Sequence, residues 1–246
     1  MLYNDLKAAA SKMMSVSVVI LIVMNLISLV SDVPKLEVLS NPALRNILYI
    51  GIPVFFFIAL KGELTAEKKS GQNAPLFKKL LILLGVCVAV FVLALISQMI
   101  LGVVQFDTAQ TAKRIIGFVS KLFSYASFLG IISVVLYKTE KKPEAVNTLC
   151  LITAIIAFAY LPLKLVADVL SWNQLVYVYT GKTALVNAYK FLTGAMPPLM
   201  YAQYAATLIM LILRKRHYAA LAAQDELLKN QGQTVPDEIP EEDEDD

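Results

Sequence analysis

The chain has 246 residues, 58% of them hydrophobic, and a mean hydropathy of +0.65, values outside the range of ordinary soluble domains. Its formal charge of +3 conceals a strong polarity: eight of the 19 acids fall in the last ten residues, "DEIPEEDEDD", while 22 bases are spread through the rest. These numbers point to an all-α polytopic membrane protein, and a basic body beside lipid headgroups accounts for the lysines without nucleic acid.

Six runs are long and apolar enough to be expected as transmembrane helices, since a bilayer core takes about 20 residues of helix. The first, residues 13–31, follows Lys7 and Lys12 as a signal peptide would, but its length and the lack of an A-x-A-like cleavage site read as an uncleaved helix. The second, 43–60, opens after Pro42, a good first-turn residue, and is the weakest because Arg45 must snorkel outward. The third, 80–104, holds Cys87, and the fifth holds Cys150; two isolated thiols in apolar runs read as packing residues, not as a disulfide or metal ligands. In the fourth, 115–137, the stretch "GFVSKLFSYASFLG" offers small residues for close helix contact and places Lys121 roughly 9 Å along the helix.

The fifth run, 147–171, contains "LPLKLVADVL". Pro162 should kink that helix, and Lys164 and Asp168, four residues apart, are expected to pair on one face. The sixth, 187–213, carries Gly194, Pro197 and Pro198, which predict a broken or bent helix. Before it, residues 172–186 read as an interfacial loop around Trp172, Tyr177 and Tyr179, or as a small hairpin. Beyond the membrane domain, 1–216, a helical extension is expected over 217–230, and 231–246 should be a disordered acidic tail. Pro53 and Pro162 fall in the middle helix of each half of the chain, weak support for an inverted repeat.

Orientation follows from the bases. With the amino terminus inside, fourteen Lys and Arg flank the spans on the inner side and six on the outer, so both termini are expected to be cytoplasmic in a cell membrane. On that assignment the intramembrane polar residues gather toward the outer side: Asn25, Gln98, Lys121, Lys164, Asp168 and Lys190. The inner halves, such as "PVFFFIAL" and "LLILLGVCVAV", hold nothing more polar than serine, threonine or cysteine. Ionisable groups inside a membrane mark pathways or sites. Lys121, Lys164, Asp168 and Lys190 facing one another would form an outward-open pocket of net charge +2, suited to an anionic or zwitterionic solute. The helix-breaking prolines Pro53, Pro162, Pro197 and Pro198 stand beside it.

Catalytic chemistry is not called for. His217 is the only histidine, and no H-E-x-x-H, phosphate-loop or nucleophile-elbow motif occurs, so no metal or cofactor is expected. Two functions lead, ahead of a lipid-modifying enzyme using carboxylates and lysines near the headgroups for acid-base work. One is binding or transport of a small anionic or zwitterionic solute, alone or with other membrane subunits. The other is a non-catalytic structural or regulatory partner whose acidic tail recruits a cytosolic protein.

Overall fold

The computed structural model describes residues 3–30, 42–70, 73–101, 106–139, 143–172, 178 and 180–230. The acidic tail and most of the loop expected to lie in the outer interface, residues 173–177 and 179, fall outside them. Seven helices account for nearly all of it: α1 Tyr3–Val30, α2 Pro42–Ser70, α3 Ala74–Leu101, α4 Phe106–Leu122, α5 Tyr125–Thr139, α6 Glu144–Trp172 and α7 Thr183–Asn230. Inside a bilayer no water is available to the backbone, so an apolar run this long satisfies its amides and carbonyls within a helix.

Starts and stops follow local chemistry. The carbonyl of Asn73 accepts the first bonds of α3 from Leu76 and Phe77, and its side-chain amide reaches across to the Thr139 carbonyl at 3.1 Å, tying the start of α3 to the end of α5. Pro143 opens α6, its carbonyl accepting from Val146 and Asn147. Gly181, with φ of 68°, makes the left-handed turn that leads into α7.

The helices form a closed circuit: α1 packs between α2 and α7, α7 lies against α6, α6 against α5, and α3 bridges α2 to the α4–α5 pair. Side-chain contacts fix the directions. Lys7 of α1 meets Glu67 of α2, and Ser17 meets the carbonyl of Ile52, so α1 and α2 are antiparallel. Ser11 meets Arg214, and Asn4 donates to Asp225 at 2.9 Å, so α1 and α7 are antiparallel as well. The start of α1 and the far end of α7 therefore share one end of the bundle.

The core is apolar and aromatic, with Met14, Phe56, Phe77, Phe128, Ile132, Cys150 and Met210 all buried. Phe56 packs edge-on against Phe128, ring centroids 5.3 Å apart. At Gly130 the α5 backbone comes so close to α6 that a Cβ would lie 2.5 Å from that of Ala157, which is why a glycine stands there. The outer surface is as apolar as the interior: Phe57, Val92, Leu93, Ile155, Phe158 and Phe191 are exposed, whereas Ser11, Ser17, Thr153, Gln203 and Thr207 are buried. That distribution suits a hydrocarbon solvent, not water.

Five helical stretches are long and apolar enough to cross a membrane: Tyr3–Ile27, Ala74–Ser97, Gln110–Thr139, Glu144–Trp172 and Thr183–Lys229. The expected second span, 43–60, is only the first part of α2, which runs on to Ser70 and is not among the five. Its last turns carry Glu63, Glu67, Lys68 and Lys69, charges that end a hydropathy run without ending a helix.

Candidate functional site

The fourth span is where the backbone departs from a continuous helix. Pro53, Pro162, Pro197 and Pro198 all sit inside uninterrupted helices, whereas α4 and α5 are separated at Phe123 and Ser124, with no proline near. Serines make this interruption possible. The Ser124 hydroxyl accepts from the amide of Ser127 at 3.4 Å, a cap for α5, and the Ser127 hydroxyl donates at 3.4 Å to the carbonyl of Lys121, which also accepts from the amide of Ser124 in the closing turn of α4. From α7, the buried side chain of Gln203 donates through Nε2 to the carbonyl of Ala126 at 2.6 Å. The small residues expected to serve helix contact thus also add side-chain hydrogen bonds to the backbone at the break.

Lys121, in the last turn of α4, pairs with Asp168 of α6. A cation is favoured at that position because the helix dipole leaves its carboxyl end negative. The Asp168 carboxylate is nearly buried, at 11% side-chain exposure, while Lys121 keeps 37%, so one side of the pair opens to the surroundings. Further along, Arg114 Nη2 donates to the carbonyl of Trp172 at 3.1 Å and stacks over its ring, and Phe118 meets the same ring edge-on. These contacts lash α4 along the end of α6.

Of the residues expected to form an outer pocket, the structure therefore joins Lys121 and Asp168. The expected local pair of Lys164 with Asp168 does not form: Lys164 is half-buried, with no carboxylate within ion-pair reach among the described residues. The lysine-before-aspartate order is the weaker one for a helical pair, and Lys121 reaches the same carboxylate from a neighbouring helix. Lys190 is exposed on α7. Asn25 spends its amide within its own helix, donating to the carbonyl of Leu21 at 2.7 Å. The side chain of Gln98 lies outside the described residues. Gln203 Oε1 and the Tyr201 hydroxyl are among five side-chain atoms buried without a hydrogen-bond partner among the described residues.

A second polar cluster stands at the opposite end of the bundle, contrary to the expectation that only one side holds chemistry. Lys7 of α1 lies 2.8 Å from Glu63 and 2.5 Å from Glu67, both on α2, and the other oxygen of Glu63 accepts from Arg214 of α7 at 2.6 Å. Lys7 meets Glu63 Oε2 as an ion contact, without hydrogen-bond alignment. Arg214 also donates to the hydroxyl of Ser11 at 2.6 Å, and that hydroxyl donates to the carbonyl of Lys7. The Tyr3 hydroxyl donates to Glu67, the Phe77 ring faces the Lys7 ammonium at 5.0 Å, and the Tyr218 ring faces the Arg214 guanidinium at 5.1 Å. All four charged residues are at most 1% exposed. Two cations and two anions balance, so the cluster binds three helices together with no charge left over.

All four residues lie outside the expected spans, and Lys7 and Arg214 were counted only among the bases flanking those spans on the inner side. The signal that would have found them is the four-residue spacing of Glu63 to Glu67 and of Lys7 to Ser11, which puts each pair on a single helix face.

No group of three or more His, Cys, Asp or Glu that could hold a metal ion occurs among the described residues. All-helical fold, apolar surface and five helices long enough to cross a bilayer are together consistent with an integral membrane protein of the helical class. Comparison with known proteins returns no match: no family model fits the sequence, and no curated protein or solved structure resembles it at a significant level. Function is therefore read from the geometry of the sites.

Proposed function

We propose that the protein binds and moves a small anionic or zwitterionic solute, alone or as the membrane component of a larger transporter, with the α4–α5 break as its moving part. One observation carries this reading: the ion pair Lys121–Asp168 bridges two helices beside the interrupted residues Phe123 and Ser124. Discontinuous helices in membranes line solute and ion sites, because their free backbone groups and helix ends are polar where all else is oil. An intramembrane ion pair beside such a break is a natural gate. A zwitterion presents both charges, so its carboxylate can take the place of Asp168 on Lys121 while its ammonium takes the place of Lys121 on Asp168. Exchange of one pairing for another avoids stranding a charge in the low-dielectric interior. An anion would use Lys121 alone.

In this reading the gate faces the outside, the ends of the chain face the cytoplasm as the excess of inner bases directs, and the four-charge cluster holds α1, α2 and α7 as the fixed body. The test is uptake by proteoliposomes of a panel of radiolabelled amino acids, betaines and carboxylates. Wild type should accumulate at least one class, and K121M and D168N should each lower its uptake about tenfold or more, the factor that follows from losing 1.4 kcal/mol of binding. The swap K121D/D168K should restore the folded level in the membrane without restoring uptake. Undiminished uptake by both single variants would remove the gate from consideration.

A further inference from the structure

Between α1 and α7, on the outside of the bundle, runs a groove of about 460 Å³. Its walls are Ser15, Val16, Val19 and Ile20 from α1 and Leu208 and Ile212 from α7, and it is capped by Lys12, Lys215 and Arg216. The spacing explains the composition: residues 12, 15, 16, 19 and 20 share one face of α1, and 208, 212, 215 and 216 share one face of α7. Because the two helices are antiparallel, with Ser11 touching Arg214, all three cations converge at the same end of the groove. The other end is purely aliphatic.

We propose that this groove holds an anionic phospholipid, its phosphate on Lys12, Lys215 and Arg216 and an acyl chain along Val16, Val19, Ile20, Leu208 and Ile212. Charge selects the occupant. All three cations are exposed and have no carboxylate partner among the described residues, although Lys7 and Arg214, close by in sequence, are fully matched inside. Basic residues gathered where transmembrane helices meet the headgroup layer recognise acidic lipids, each attracting the negative surface. A quaternary ammonium headgroup would bring a cation to this triad. Length also fits: Lys12 to Ile20 is eight residues, about 12 Å of helix rise, close to one leaflet of a hydrocarbon core about 30 Å thick. The volume lies within the range of about 300–1,000 Å³ usual for ligand sites. A soluble anion would find the cations but would leave the aliphatic floor empty.

Consequently a lipid in this site would splint α1 to α7 directly outside the buried charge cluster. It is separate from the gate at Lys121 and Asp168, and the two stand or fall independently.

The test counts lipids retained by the intact full-length protein in native mass spectrometry, after exchange into micelles containing equal phosphatidylglycerol and phosphatidylcholine. Wild type should retain phosphatidylglycerol with about tenfold preference or more, in line with three basic residues near an anionic headgroup. K12Q/K215Q/R216Q should bring that preference to within about twofold, as the same three contacts are lost. I20W, which fills the groove without altering charge, should lower retention of phosphatidylglycerol while the triad is intact, and thermal protection by phosphatidylglycerol should fall with it. Soluble glycerol phosphate in excess should not displace the lipid. Equal retention of the two lipids by wild type, an unchanged preference in the triple variant, full retention by I20W, or displacement by glycerol phosphate would each overturn the proposal.

Discussion

Replacing Glu63 by Gln keeps the shape of the side chain and removes the one anion that touches both cations of the buried cluster. Lys7 would keep Glu67, whereas the guanidinium of Arg214 would lose the carboxylate 2.6 Å away, in a site where each charged residue is at most 1% exposed. Removing one partner of a buried ion pair costs about 3–5 kcal/mol, because the remaining charge keeps its desolvation penalty without its compensation. Arg214 retains the Ser11 hydroxyl and the Tyr218 ring, which places the expected loss for E63Q toward the lower bound of that range. The assay is reversible unfolding in mixed micelles of mild detergent and dodecyl sulfate, followed by circular dichroism. E63Q/R214Q should lose less than the two single changes added together, with a coupling of about 0.5–3 kcal/mol. A loss for E63Q below about 1 kcal/mol, the value of an exposed surface pair, together with strict additivity in the double variant, would refute the network as a structural tie.

Gly130→Ala should destabilise by about 1–3 kcal/mol through overpacking, since its new methyl meets the Ala157 Cβ; A157G added to it should recover most of that loss in the same unfolding assay. Cysteines placed at positions 4 and 225, in a background with C87A and C150A, should crosslink readily in native membranes, because Asn4 and Asp225 are in hydrogen-bond contact; absence of crosslinking would separate the two ends of the chain. Gln203→Leu leaves the Ala126 carbonyl without its side-chain donor and should cost about 1 kcal/mol, checked by the same unfolding midpoint.

The membrane class was readable in the sequence because it rests on run length alone, and five of the six expected spans match helices long and apolar enough to cross. Depth along the helix singled out Lys121 as the charge hardest to explain by snorkelling, and it is the one that reaches Asp168. Its partner was misjudged because spacing within a helix reveals local pairs only; Lys121 and Asp168 are 47 residues apart, and nothing in their neighbourhoods announces that contact. The interruption of the fourth span was missed for a related reason. Prolines were taken as the markers of broken helices, yet a helix in lipid can keep its course past a proline when neighbours absorb the lost hydrogen bond. Ser124 and Ser127 supply the side-chain bonds at the break, but serine in a membrane helix has so many other uses that its presence decides little. The buried four-charge cluster was hidden because its members lie outside the apolar runs, a boundary that describes lipid contact and not helical packing.

The cluster at Lys7, Glu63, Glu67 and Arg214 also imposes an order of events on biosynthesis. When α1 and α2 have left the ribosome, the nascent hairpin holds one cation against two carboxylates, and the missing guanidinium is 151 residues further along the message from Glu63. At a synthesis rate of about 5–20 residues per second it arrives roughly 8–30 s later. Until then the hairpin of α1 and α2 sets one cation of the cluster against its two carboxylates, and the tie to α7 cannot form. Closure of the three-helix tie therefore waits for α7.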